Sequence, residues 1–363
     1  MKICHVTNAE GWSGGLEQML LLLTELDRKG HQNILVCSQK CELLPKISAL
    51  KNVKFFPLSI FQDYDLIAAW KLRWIIAKEN PDIVHTHHAM AHAVALLALS
   101  FSPNPPLIVS RRVSFSPRKN PFSKWKYGSG RIKKYTVVSG AVKDTLVQSG
   151  IDPQKIEVVY SAVHPDLFCV SVDKETICRQ LNIPIDYDVV GKVANYALWK
   201  GQHIFLQAAK EIVERRPKTM FVLVGKRTEQ LAAMVAELKL QNHVRLLGFR
   251  KDIPNVIGAL DVSVNAAIEG EGLSGAVRES FWLNVPVVAS DVSGNREIVR
   301  NDETGFLVPP KNARALAEKI IYVLENKSQA RQLATHGRNW VLQNATVEVM
   351  TNHLLDVYRA VLT

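Results

Sequence analysis

Short apolar runs alternate with longer amphipathic stretches along the whole chain. KICHVT (residues 2–7) and HQNILVCS (residues 31–38) are such runs, and the segment between them has the apolar spacing of a helix. Regular alternation of this kind is typical of parallel β-sheets that are covered by helices on both faces. The pattern therefore predicts the α/β class, and 363 residues are enough for two domains of ordinary size.

The alternation weakens in one place, between residues 169 and 187. We interpret this stretch as a linker, which leaves a first domain over residues 1–168. A second domain begins at residue 188 and continues to residue 345, and the last segment, residues 346–363, has a helical pattern of its own.

The composition is that of a folded protein, with 47% hydrophobic and 22% charged residues. The five cysteines form no CxxC pair, which favours reduced thiols over a disulfide framework or a zinc site. No apolar run reaches the roughly 18 residues of a membrane-spanning helix, and the N-terminus lacks the apolar stretch of a signal peptide. We therefore predict a cytoplasmic protein.

The net charge of +11 indicates an anionic partner, and its distribution narrows the choice. Residues 111–134 contain nine Arg or Lys and no acid, interleaved with aromatic residues. Our working hypothesis is that Lys124, Trp125 and Lys126 touch an anionic membrane, at its inner cytoplasmic face. A single-stranded nucleic-acid surface and a solvated loop are the alternatives. Arg111 and Arg112 suit an anionic acceptor, or are simply surface charge.

Two glutamates eight positions apart, Glu271 and Glu279, are the strongest chemical signal. The residues after the first of them predict a strand-to-helix turn: Gly272, Leu273, Ser274 and Gly275. The free amides of such a turn bind anions, and flanking carboxylates accept hydrogen bonds from sugar hydroxyls. An ordinary amphipathic helix with solvated acids is the alternative interpretation.

This segment resembles the Glu-x7-Glu signature of retaining nucleotide-sugar glycosyltransferases of family 4. The resemblance continues through VPVVASDVSGNREIV and DETGFLVPPKNARALAEKI. It implies the GT-B fold, in which two Rossmann-like domains with parallel sheets face each other across a cleft. Residues 1–168 then form the acceptor side, residues 188–345 the donor side, and residues 346–363 a helix that crosses back to the first domain.

The resemblance also implies roles for individual residues. Glu271 contacts the donor sugar, Glu279 the ribose, and the amides of Gly272, Leu273 and Ser274 the diphosphate.

Elsewhere in the chain, His87 of the HTHH run reaches the transferred sugar, with His85 as its buried partner. Lys200 meets the diphosphate, but the arginine expected five positions earlier is replaced by Asn195, for which Lys192 is a candidate substitute. The remaining donor-binding positions are in two loops: Gly14 and Gly15 in the first, Gly248, Phe249 and Arg250 in the second.

We therefore predict a retaining hexosyltransferase that uses a UDP- or GDP-linked sugar as co-substrate and a glycan or glycolipid, such as lipopolysaccharide core, as acceptor. No metal is expected, because the candidate loops contain no Asp-x-Asp motif. No cofactor is expected either, and no nucleic-acid partner, since the chain contains no recognised nucleic-acid-binding motif. Three alternatives remain open: a nucleotide-sugar epimerase of the same fold, an NAD-dependent oxidoreductase, which the absent GxGxxG disfavours, and a nucleic-acid-binding protein.

Overall fold

A computed structural model describes residues 1–100, 105–117, 120–166 and 168–363. Contacts within the chain separate it into two compact units. The first unit comprises Met1–Ala162 together with Val347–Thr363, and the second comprises Val163–Thr346. Each unit is built on one parallel sheet, so the predicted α/β class is confirmed.

Buried β-branched and aliphatic runs form the strands of both sheets. The sheet of the first unit consists of β1 (Lys2–Val6), β2 (Gln32–Cys37), β3 (Val53–Pro57), β4 (Ile83–Thr86), β5 (Leu107–Arg111), β6 (Ile132–Val137) and β7 (Ile156–Val158). The sheet of the second unit consists of β8 (Asp188–Val193), β9 (Thr219–Val224), β10 (Val244–Leu246), β11 (Val262–Asn265), β12 (Val287–Ser290) and β13 (Phe306–Val308).

The described helices connect these strands. They are α1 (Gly14–Arg28), α2 (Leu44–Ile47), α3 (Leu66–Glu79), α4 (Ala89–Ala98), α5 (Pro121–Gly128), α6 (Gly140–Gln148), α7 (Lys174–Gln180), α8 (Gln202–Arg215), α9 (Ala232–Glu237), α10 (Ile253–Gly258), α11 (Gly275–Trp282), α12 (Asn295–Ile298), α13 (Ala313–Glu325), α14 (Lys327–Asn344) and α15 (Val347–Leu362). Several start at a side-chain cap, such as Ser13 for α1 and Asp65 for α3. None of the helices in the described ranges is both long and apolar enough to cross a bilayer.

The last helix, α15, belongs to the first unit. Its buried side chains Leu354 and Tyr358 share one core cluster with Leu22 and Leu26 of α1. The chain therefore returns to its first unit after completing the second.

The segment predicted as a linker is different in the structure. Within residues 169–187, Asp173 caps α7 by accepting a hydrogen bond from the amide of Thr176 at 2.8 Å. Ile177, Leu181 and Ile183 are buried in the core of the second unit. Only a few apolar residues in this stretch face the core, so its periodicity was too weak to predict a helix.

Both sheets have a point at which the order of the strands reverses. In the first unit the order is β3-β2-β1-β4-β5-β6-β7, and in the second it is β10-β9-β8-β11-β12-β13. The connection after β1 therefore runs toward one edge of the first sheet, and the connection after β4 runs toward the other edge. The connections after β8 and β11 diverge in the same way in the second sheet. Ligands of open α/β sheets bind beyond the carboxyl ends of strands at such points. Ligand sites are therefore expected in the loops after β1 and β4 and in those after β8 and β11.

Candidate active site

In the second unit, an ion pair joins the loops that follow β8 and β11. The ammonium of Lys200 lies 2.8 Å from Oε2 and 3.1 Å from Oε1 of Glu271. The carboxylate is almost fully buried, and the lysine side chain is 23% exposed. The same ammonium lies 4.0 Å above the ring of Trp199, a cation–π contact. A lysine and a glutamate 71 positions apart thus meet at the switch point of this sheet.

Close backbone packing holds the two loops together. Gly201 has a φ of +68°, and a Cβ there would lie 1.8 Å from the carbonyl oxygen of Ala266. One residue earlier than Lys200, the carbonyl of Trp199 accepts a hydrogen bond from the amide of Ile268 at 2.8 Å. Only glycine allows this approach, because the backbone is left-handed and the neighbour is main chain. The position of the lysine is therefore fixed by the backbone.

The turn after Glu271 begins α11 as the sequence predicts. Ser274 caps the helix, and its hydroxyl also accepts a 2.8 Å hydrogen bond from the side-chain amide of Asn265 at the end of β11. The side chain of Glu279 lies one turn along the helix and folds back, so that a Cβ on Gly275 would be 3.4 Å from Oε1 of Glu279. The helix start thus has free amides and a carboxylate beside them.

Lys192, the last but one residue of β8, is the most unusual charge in this unit. Its side chain is buried, with 2% of its surface exposed. Burial and, to a smaller extent, the charge of Lys200 together lower its pKa to about 7, against the opposing effect of Glu271. The site therefore contains two lysines, and the second of them, Lys192, can gain or lose a proton near neutral pH.

The predicted donor-binding positions Asn195, Gly248, Phe249 and Arg250 lie at neighbouring strand ends of the same sheet. Asn195 follows β8, and its side-chain oxygen accepts a 2.9 Å hydrogen bond from the amide of Lys226 after β9. Gly248 follows β10 with a φ of +61°, and Phe249 is 53% exposed. Arg250 is held by Asp252 at 2.8 Å. Asn195 thus ties two loops together and adds no charge at the position where the sequence resemblance implies an arginine.

In the first unit, the glycine turn meets a histidine that sequence reasoning left without a role. Gly14 and Gly15 begin α1, and a Cβ on Gly15 would lie only 3.1 Å from Nε2 of His88. The other ring nitrogen of His88 is 2.7 Å from the hydroxyl of Thr7. His88 is the residue immediately before α4, and this N-cap position is the signal that could have identified it.

His87, in contrast, is buried in a hydrogen-bonded chain of side chains. Its Nδ1 lies 3.3 Å from the guanidinium of Arg112, and its Nε2 lies 3.0 Å from Nδ1 of His5. The Nε2 of His5 lies 3.3 Å from the side-chain oxygen of Asn33, and Asn33 donates its amide to the carbonyl of His31. This placement differs from the expected one, in which His87 reaches the sugar directly.

Arg112 and Asn33, at the two ends of this hydrogen-bonded series, determine the tautomers of His87 and His5 between them. Arginine only donates, so Nδ1 of His87 is an acceptor and its Nε2 carries the proton. His87 therefore donates to His5, and His5 donates to Asn33, whose own amide group is already used by a carbonyl. His85 is fixed separately by Tyr358 at 2.6 Å and Ser110 at 2.7 Å.

His5, His85 and His87 lie close enough for one ion to reach one nitrogen of each. However, their ring nitrogens already have hydrogen-bond partners, and the guanidinium of Arg112 is adjacent. A nearby positive charge disfavours a cation. The cluster is therefore best described as a rigid network of neutral imidazoles.

Buried histidines also predict how stability depends on pH. Burial lowers the pKa of His92 to about 3, and its Nε2 has no hydrogen-bond partner within the described chain. Below the unfolded value of about 6.5, the unfolded chain takes up a proton that the folded chain refuses, so stability falls with pH down to the folded pKa. We expect His92→Phe to reduce the loss of stability between about pH 7 and pH 5 by about 2 kcal/mol. Urea unfolding at both pH values measures this, and an unchanged difference would contradict it.

The basic segment predicted to touch a membrane or acceptor is held largely by its own unit. Arg111 donates to the hydroxyl of Tyr127 at 2.7 Å, and Arg112 donates to the carbonyl of His87 at 3.2 Å. Lys126 is buried and lies 3.1 Å from Asp63, so it cannot touch a bilayer as predicted. Its position on the inner side of α5 is the reason.

The two other predicted contacts of this segment remain at the surface. Lys124 is exposed and Trp125 is 40% exposed. Arg118 and Lys119, two further basic residues of the 111–134 segment, lie outside the described residues.

Two α/β units, each with polar side chains at the switch point of its sheet, are the architecture of GT-B glycosyltransferases. A glycosyltransferase from Rickettsia africae superposes with a TM-score of 0.90 and 26% identity, covering 100% of this chain and 98% of the other. The HepE protein of Anabaena, whose structure contains UDP and glucose, superposes with a TM-score of 0.86 at 20% identity over 99% and 100% of the chains.

The chain belongs to the family-4 type of this class. Residues 13–167 match Glycosyltransferase Family 4, and residues 173–340 match Glycosyl transferases group 1. A similar protein of Escherichia coli, UDP-Gal:alpha-D-GlcNAc-diphosphoundecaprenol alpha-1,3-galactosyltransferase, is 24% identical over 99% of this chain and 96% of its own length. The family predicted from the Glu-x7-Glu segment is confirmed.

Proposed function

We propose that this protein transfers a hexose, with retention of anomeric configuration, from a nucleoside diphosphate sugar to a glycan or lipid-linked glycan. The observation that carries the proposal is the contact between Lys200 and Glu271 at the switch point of the second unit. A cation beside a buried carboxylate provides one contact for phosphate and one for sugar hydroxyls, which are the two parts of such a donor.

The reaction requires the departing nucleoside diphosphate to be stabilised as its charge develops. Lys200, the amides at the start of α11 and a protonated Lys192 supply that stabilisation, and the first two are held in place by the Glu271 contact and the Ser274 cap. Glu271 accepts hydrogen bonds from the sugar, and Glu279 from the ribose. With two lysines at the diphosphate, the reaction is proposed to need no divalent metal.

Retention is proposed to occur by displacement on the same face of the sugar. A carboxylate held at 2.8 and 3.1 Å by an ammonium is a weak nucleophile, because that contact stabilises its charge. Glu271 is therefore better suited to orienting the sugar than to forming a covalent intermediate. The leaving phosphate then accepts the proton of the acceptor hydroxyl.

The acceptor is proposed to be a sugar carried on a lipid diphosphate or a lipopolysaccharide core. The support is the Escherichia coli relative, a galactosyltransferase named for its UDP-Gal donor and its diphosphoundecaprenol-linked GlcNAc acceptor. A uridine nucleotide is the donor we expect first, and GDP-sugars are the comparison.

Donor binding and product stereochemistry test this proposal. We expect UDP-hexoses to raise the melting temperature, because ligands that bind only the folded state stabilise it. With a lipid-linked acceptor, the product is expected to have the anomeric configuration of the donor by NMR, at a rate that EDTA does not change. An inverted product would contradict retention, and a sugar isomer released without acceptor would indicate an epimerase.

A further inference from the structure

Helix α3 of the first unit is apolar on its outer side as well as on its inner side. The inner residues are buried: Ala68, Ala69, Leu72, Ile75 and Ile76. On the outer side, Leu66 is 69%, Ile67 70%, Trp70 68% and Trp74 54% exposed. A helix that is apolar all round is normally buried on every side, and isolated surface tryptophans of this exposure are uncommon.

The outer residues form one stripe with a defined border. At about 100° per residue, Leu66, Ile67, Trp70 and Trp74 fall within a sector about 100° wide. Lys71 and Lys78 lie along one border of that sector, and Arg73 lies along the other. The ammonium of Lys78 is 4.9 Å from the ring of Trp74. Long basic side chains beside an apolar stripe can reach phosphate groups while their stems stay in an apolar layer.

No exposed acid balances these three positive charges on the helix. Its one acid, Glu79, is buried and paired with Lys54 at 2.6 Å and Lys2 at 3.3 Å. Asp65 caps the helix by accepting a hydrogen bond from the amide of Ala68 at 2.9 Å. Nearby acids therefore act within the protein, and the outer side of α3 is positively charged.

The apolar surface extends beyond the helix into the preceding loop and α5. Phe61 is 82% exposed and Tyr64 is 63% exposed. The ring of Tyr64 meets Phe122 edge to face at 6.1 Å, and Phe122 lies 5.4 Å from Trp125. We call Phe61, Tyr64, Leu66, Ile67, Trp70, Trp74 and Trp125 together the aromatic face.

We propose that the aromatic face binds the surface of an anionic bilayer, with α3 lying in the interfacial layer. Tryptophan and tyrosine favour that layer, the aliphatic residues enter the acyl region, and the flanking basic residues bind anionic headgroups. A second copy of the chain is a poorer partner, since a two-fold contact centred on α3 brings Lys71, Arg73 and Lys78 of both copies together without an acid. This surface is separate from the donor site, and the inference does not depend on the proposed reaction.

Vesicle flotation tests the proposal. The full chain is mixed with phosphatidylcholine vesicles, with or without a third of phosphatidylglycerol, and bound protein is measured at low and high salt. We expect binding mainly to the anionic vesicles, weakened by salt. Trp70→Ser/Trp74→Ser is expected to lower the partition coefficient by about tenfold or more. Equal binding of wild type and this variant would overturn the proposal.

Two controls make the result specific. Ile185→Ser/Leu342→Ser removes two apolar side chains that are 58% and 42% exposed in the other unit, and it is expected to bind as wild type does. Both variants should retain the melting temperature of the wild type, because all four side chains are at the surface. Light scattering without vesicles provides the other test: a dimer that the tryptophan variant converts to a monomer, with no flotation of either protein, would show a second copy as the partner and overturn the bilayer proposal.

Discussion

Replacing Lys200 by methionine is expected to lower kcat/KM of sugar transfer by about a hundredfold or more. Methionine keeps most of the volume of the lysine stem and its contact with Trp199, but it removes the charge that stabilises the departing diphosphate. Removal of one preorganised electrostatic contact costs about 10²–10³ in rate in comparable sites. Glu271→Gln is expected to cause a loss of similar size, because a neutral amide accepts weaker hydrogen bonds from the sugar. Initial rates at saturating and limiting donor measure both.

Stability must be separated from chemistry, because the Lys200–Glu271 pair also holds two loops together. Loss of either partner leaves a charge in a largely buried place, at a cost of about 3 kcal/mol. The double variant Lys200→Met/Glu271→Gln leaves no unpaired charge in that pair and is expected to recover part of this stability in urea unfolding without recovering any rate. Glu269→Ala, in the same loop but exposed, is the matched control and should keep the wild-type rate. Wild-type rates in both single variants would show that the pair is only structural.

Sequence reasoning located this pair but could not predict that the two side chains touch. Glu271 was predicted from its spacing to Glu279, and Lys200 from the family resemblance. Their contact depends on β8 and β11 being neighbours in the sheet, although β9 and β10 lie between them in the chain. Adjacency of strands is a property of the whole fold, which local spacing does not contain.

The histidine cluster shows a similar limit. The HTHH run indicated a site after β4, but His5 comes from β1, and its partner Asn33 comes from β2. The register that places His5 opposite His85 decides which histidine is enclosed and which one, His88, lies at the glycine turn. The sequence therefore predicted that His85 and His87 close β4, but it could not predict which of the neighbouring histidine rings is enclosed.

Helix α3 was missed for a different reason. Its apolar residues show no helical periodicity that would tell the core side from the outer side, because both sides of the helix are apolar. The membrane contact was predicted in the basic run at residues 111–134 instead, since a sequence shows the charge of a residue but not its exposure. The structure shows that one of its lysines, Lys126, is buried against Asp63, next to the loop that leads into α3.

Replacing Lys192 by methionine is expected to weaken donor binding by about tenfold or more at pH 7, and to stabilise the free protein. The two effects have one cause. Burial and the charge of Lys200 lower the pKa of Lys192 to about 7, so a bound diphosphate can draw a proton onto it. Asn195 supplies no charge at the position where the sequence resemblance implies an arginine, whereas Lys192 is buried and its pKa responds to the charges of both Lys200 and Glu271.

The pH dependence has a definite sign. Below about pH 7 the free protein already carries the proton on Lys192, so donor binding is strongest there and weakens as pH rises above 7. Between about pH 7 and the complex's higher pKa, binding takes up a proton. Calorimetry in buffers of different ionisation enthalpy measures that uptake of protons. The same measurement on Lys192→Met gives the uptake that is due to the nucleotide alone, and this value is subtracted. Equal uptake by wild type and variant would contradict this role for Lys192.

Stability of the free protein provides the independent readout. A lysine whose pKa is lower in the folded state than in the unfolded one destabilises the fold fully below about pH 7, and this effect disappears as pH rises toward the unfolded value. Lys192→Met is therefore expected to raise the melting temperature most at acidic pH and least at alkaline pH. A residue that served only to pack the strand would show the opposite, a loss of stability at every pH. If Lys192→Met binds the donor less well while the folded protein becomes more stable, the role of Lys192 is donor binding and not stabilisation of the fold.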